Sequence, residues 1–161
     1  MTRFLLSLFL LSVPVAASPP RTQPRPSRRA MSQPTQPVPI FHSQTSEFDM
    51  PEERLIQDAR AWAAAWQELH NGLVAPPTPV VDWATSSVVL VAIGQRSSAG
   101  RDVRVTEVAH GADGAVVYYT VSEPGPGCMT AQMITSPVDV VRVPKVRGAS
   151  TFRRTAARRP C

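Results

Sequence analysis

The residues able to do chemistry are few and scattered. The three histidines are His42, His70 and His110, and none stands at a metal-ligand spacing from another His, a Cys or a carboxylate pair. His70 follows a helical pattern, where a cation suits the negative end of the helix dipole, and His110 sits beside a turn. Capping and solvent exposure fit these positions better than catalysis. Cys128 has no neighbouring histidine, and no G-x-S-x-G elbow occurs. Asp102, Glu107 and Asp113 lie around an expected hairpin and read as solvated turn and strand-face charges. Gly94, Gly100, Gly111 and Gly114 fall in separate turns and form no phosphate-cradling loop. An active site would have to be assembled wholly by the fold. The expected class is therefore a non-enzyme with no cofactor and no metal.

The elements that would position these residues begin after an export signal. Met1 to Arg3 is a short positive start, Phe4 to Val13 an apolar run, and Val15-Ala16-Ala17 a small-residue cleavage site. This predicts a signal peptide over 1–17. The apolar run falls short of the ~20 residues that span a bilayer. No later run is long enough, so no transmembrane segment is expected after cleavage. The expected location is secreted or bacterial periplasmic. Residues 18–40 hold seven prolines among Gln, Ser, Thr and Arg, which predicts an extended, disordered linker.

A globular domain is expected over 41–146. Leu55, Ala59, Trp62, Trp66 and Leu69 recur at helical spacing. With Asp49 and Glu52 as a capping box and Asn71-Gly72 as a stop, they predict an amphipathic helix over about 51–71. Strand-like runs follow over about 87–143: Ser87 to Ile93, Val103 to Val108, Ala115 to Val121, Met129 to Thr135 and Val138 to Val143. The first is apolar throughout and should be buried on both faces. The fold class is α+β, mainly β: one N-terminal helix packed on a small, mostly antiparallel sheet or sandwich of about five strands. Residues 147–161 are small and basic and are expected to be a disordered tail. Cys128 and Cys161 are compatible with an internal disulfide, a free thiol or an intermolecular bridge.

Charge is unevenly placed. From 41 to 144 six arginines stand against all twelve acidic residues, so the excess of basic charge lies in the two ends. Basic ends suit an anionic envelope polymer. Phe152 is the lone aromatic in the C-terminal stretch, which is poor for base stacking, so no nucleic acid is expected.

Several motifs, in order, resemble one family. Val81-Asp82-Trp83 precedes the apolar run Val88 to Ile93 and Gly94. Gly94-Gln95-Arg96-Ser97-Ser98-Ala99-Gly100-Arg101 follows the pattern G-x-R-P-T-G-G-Y. Pro124-Gly125-Pro126-Gly127-Cys128, Thr130, Gln132, Pro137, Val140-Val141 and Pro144-Lys145 close the set. Together they resemble the C-terminal domain of the protease complex subunit PrcB family. The chain departs from that pattern at Ser97, Ala99 and Arg101. The resemblance implies a non-catalytic accessory that associates with an exported protease or another envelope protein. The surface it points to is the tip with Arg96, Gly100 and Arg101, together with the loop of Pro124, Gly125, Pro126 and Gly127. A polyanion- or wall-associated structural protein and a protease inhibitor are the alternatives.

Overall fold

The computed structural model describes residues 34–70, 74–111 and 113–161. The expected signal peptide, most of the expected linker and the Asn71-Gly72 stop lie outside them. Among the described residues seven strands and one helix follow in the order β1 (Val38–Ser43), β2 (Pro51–Ile56), α1 (Ala59–Leu69), β3 (Ser86–Ile93), β4 (Asp102–Gly111), β5 (Gly114–Pro124), β6 (Val138–Pro144) and β7 (Ala149–Arg159). They form a four-stranded sheet of order β1-β6-β3-β2 and a three-stranded sheet of order β4-β5-β7. Every ladder is antiparallel except that of β5 and β7. The architecture is mainly β, in three layers: helix, four-stranded sheet, three-stranded sheet. No helix among the described residues is long and apolar enough to cross a membrane.

The central strand β3 explains the layering. Residues on a strand alternate between faces. Val88, Leu90 and Ala92 pack with Trp62, Ala65, Trp66 and Leu69 of the helix and with Val138 and Val140 of β6. Val89, Val91 and Ile93 face the other way, against Val103, Val105, Val117, Tyr119 and Val121 of the three-stranded sheet. All eight residues of β3 except Ser86 are buried. Burying a Val or Leu side chain stabilises by roughly 1.5–3 kcal/mol relative to leaving it exposed, so this strand anchors both cores at once.

The expected helix over 51–71 is corrected to Ala59–Leu69, and it follows two strands. Its N-cap is Asp58, whose carboxylate accepts from Ala61 N at 2.9 Å, in place of the Asp49 and Glu52 pair. Leu55 is not on the helical stripe. Residues 51–56 pair antiparallel with β3, and Leu55 points into the core between the sheets. Helix-compatible residues such as Glu52, Glu53 and Arg54 yield to that pairing because strand formation depends on the neighbour more than on propensity.

Three further expectations change. The linker ends earlier than 40, because Val38 to Ile40 belong to β1 and Thr35 bridges Val108. Met129 to Thr135 is a loop, with only Thr135 bridged to Arg96. The tail over 147–161 contains β7, which runs parallel to β5 from Gly114↔Ala149 to Pro124↔Arg159. Its start needs glycine. Gly114 has φ +149°, and a Cβ there would collide with the Ala149 carbonyl. Phe152 is its half-buried anchor on the inter-sheet core.

Candidate interaction surface

The segment between β3 and β4 and the long loop between β5 and β6 form one end of the molecule. Arg96 N donates to Thr135 O at 2.8 Å, and Thr135 N returns to Arg96 O at 3.0 Å. Ala99 N donates to Ala131 O at 2.9 Å, and Thr135 Oγ1 to Ser98 O at 3.3 Å. Gly100 makes the closest approach. Its φ is +91°, and a Cβ there would stand 2.8 Å from Pro124 Cγ, so any side chain would force the two loops apart.

The end of β7 ties this assembly down. Gly125 N donates to Arg159 O at 2.8 Å, and the Arg159 guanidinium donates to Gly100 O. Cys128 and Cys161 are joined by a disulfide, with Cα atoms 5.4 Å apart. Arg101 is held within the assembly: Nη1 donates to Ser98 Oγ at 3.2 Å, and Nε lies 3.4 Å from Glu123. The structure thus brings together Arg96, Gly100, Arg101, Pro124, Gly125, Pro126, Gly127, Cys128 and Cys161. Of these, Gly100 and Arg101 position the loops, while Pro126 and Gly127 are exposed.

The most exposed apolar side chains at this end are ones that the strand reading of 129–135 concealed. Met129 is fully exposed, Ile134 is 68% exposed and Met133 50%. Three large apolar groups are thus held in water on one anchored loop, two of them flexible methionines. The Pro-Gly-Pro-Gly run before them and Ser136-Pro137 after them were the available signal for a long loop.

A second polar cluster lies inside. Asp139 of β6 points between the sheets and is 2% exposed. Its Oδ2 accepts from Val105 N at 2.7 Å, beside the bulge in β4. His42 Nδ1 lies 3.5 Å from Asp139 Oδ1, and His42 Nε2 lies 3.1 Å from Asp102 Oδ1. Gln44 Nε2 donates to that same Asp102 oxygen at 2.9 Å. Arg104 approaches both acids, at 3.6 and 3.7 Å. Burial pushes the Asp139 carboxyl above the usual carboxylate range, against the opposing pull of the Val105 amide, Arg104 and His42. Asp102 is therefore part of a half-buried network and not a solvated turn charge. The imidazole addresses the two acids through different nitrogens, so the three side chains do not converge on one point. No group of three His, Cys, Asp or Glu residues among the described residues has the geometry to hold a metal ion. The network joins β1, β4 and β6.

His70 caps α1. Its N–H donates to Gln67 O at 3.2 Å, and its ring lies against Trp66 with centroids 4.5 Å apart. His110 is the penultimate residue of β4, opposite Ala115.

Fold and surface together define a two-sheet α+β domain that presents a disulfide-anchored loop end. Residues 87–144 match the family model described as PrcB C-terminal. The matched stretch runs from β3 through β6, about a third of the chain, and contains both halves of the loop end. The match leaves out β1, β2, α1 and β7. No curated protein and no solved structure matches the chain significantly.

Proposed function

We propose that this chain is an exported, non-catalytic subunit that docks onto a secreted protease, or onto another protein of its complex, through the loop end. The observation that carries the reading is the joining of the two loops into one anchored surface bearing Met129, Met133 and Ile134. The family match supports a protease-complex setting for that surface. The leader-like N-terminus and the Cys128–Cys161 disulfide support an oxidising compartment outside the cytoplasm.

The test is affinity capture with the mature chain from an envelope fraction, followed by assay of the captured material for proteolysis. Met129→Asp with Ile134→Asp should abolish capture while the thermal unfolding midpoint stays in place, because both side chains are already in water. Unchanged capture by that double variant, or captured material without a protease component, would refute the reading. Added back to the protease, the chain would lengthen its active lifetime as a stabiliser or slow its turnover as an inhibitor.

A further inference from the structure

Among the described residues the two sheets have four edges, and they are not equivalent. β1 is short and contains Pro39, which has no N–H to offer a partner strand. β2 is equally short and starts at Pro51. The edge of β4 is occupied at two points: Val108 exchanges both backbone bonds with Thr35, at 3.2 and 3.4 Å, and Val105 N is taken by Asp139. β7 is different. It runs eleven residues without a proline, and among the described residues no strand lies on its far side.

The register shows which backbone groups remain unpaired by the sheet. Arg159 O accepts from Gly125 N, so in this parallel ladder the odd-numbered residues of β7 bond to β5. The N–H and C=O groups of Phe152, Arg154, Ala156 and Arg158 consequently point to the open edge. Such an edge is a template for a further strand.

Charge limits what that strand can be. Arg153, Arg154, Arg158 and Arg159 all belong to β7, and all four are exposed. Arg154 also borders a cleft of about 250 Å³ between the open sides of the two sheets, lined by Pro51, Glu53, Ile93, Arg96 and Tyr119. A second copy would set arginine against arginine. The chain's own N-terminal stretch carries Arg21, Arg25, Arg28 and Arg29 and has the same sign. An acidic strand is the complement.

We propose that β7 is a docking strand whose open edge receives an extended acidic segment of a partner protein as an added β-strand. The C-terminal end of this edge adjoins the loop end, where Arg159 and the Cys128–Cys161 disulfide hold it, but the inference rests on the backbone edge and does not depend on the function assigned to Met129 and Ile134.

The test uses the full chain and a fluorescent peptide of alternating Thr and Glu, matched in length to β7, followed by anisotropy and amide hydrogen exchange. Binding should be saturable and should protect the amides of Arg154, Ala156 and Arg158. Ala156→Pro removes one outward N–H without touching the β5 ladder and should weaken binding roughly tenfold. Arg154→Glu with Arg158→Glu should weaken it at least as much. Met129→Asp with Ile134→Asp should leave it unchanged. Should Ala156→Pro perturb the fold, a peptide N-methylated at alternate residues tests the same bonds on the unaltered chain and should not bind. Equal binding of the methylated and plain peptides would overturn the proposal. So would wild-type affinity in a folded Ala156→Pro chain whose binding is competed by polyphosphate, since that is charge without strand pairing. Self-association abolished by Ala156→Pro would also overturn it, by assigning the edge to a second copy.

Discussion

One strand serves two cores that are built from different residues. On the helix side of β3 the packing is aromatic: Phe41, Phe48, Trp62, Trp66 and Trp83 gather around Val88 and Leu90. On the other side it is almost all valine, with Tyr119 at its margin. The shapes of the partners account for the difference. A helix is a cylinder on a twisted sheet and leaves wide gaps, which large rings fill. Two pleated sheets meet more evenly, and β-branched side chains of one size interdigitate there. Polar groups are also handled differently. The indole N–H groups of Trp62 and Trp66 donate to Pro79 O at 2.9 Å and Pro76 O at 2.8 Å, so the proline-rich connector satisfies them. Between the sheets a carboxylate is buried to serve the edge amide of Val105.

The largest expected effect is on the aromatic side. Trp66→Ala should cost about 3–5 kcal/mol in denaturant unfolding, through a large cavity and loss of the indole bond to Pro76 O. A cost near zero would mean that the helix contributes little to the fold. Asp139→Ala, on the valine side, should cost about 1–3 kcal/mol by leaving Val105 N–H unpaired in the core. Asp139→Asn keeps an acceptor for that amide and should cost less. Its signature is pH dependence. Burial raises the Asp139 pKa, so the folded chain holds a proton that the unfolded chain has already released. Between the ordinary carboxylate range and that raised value, wild-type stability should therefore fall as pH rises, by at most about 1.4 kcal/mol per pH unit. The difference between wild type and Asp139→Asn should show this slope. A flat difference would show that His42 and Arg104 fully offset the burial.

Much of the scaffold was legible. The run Ser87 to Ile93 reads as a strand buried on both sides because it lacks any polar alternation, and β3 occupies that place. The runs that became β4, β5 and β6 alternate or cluster apolar residues between Gly and Pro breaks, and these breaks coincide with the turns. The loop end was legible only as two separate loops. Nothing local to Gly100 reveals Pro124, because a close approach between distant segments leaves no periodic trace. The His42–Asp139 network was illegible for the same reason: its members come from three strands, and each looks like an ordinary surface residue in its own segment.

By itself the sequence determined where the strands β3 to β6 run, where turns break them and that the basic charge collects at the ends. These are properties of neighbouring residues, set by side-chain alternation, glycine freedom and proline's missing donor. Tertiary structure decided what those rules do not reach. Residues 51–56 became a strand because β3 offered unpaired backbone beside them. Residues 149–159, with one apolar anchor in Phe152, became a strand because β5 did the same. Backbone hydrogen bonding needs a partner at the right distance far more than a particular side chain, and only the folded chain supplies that partner.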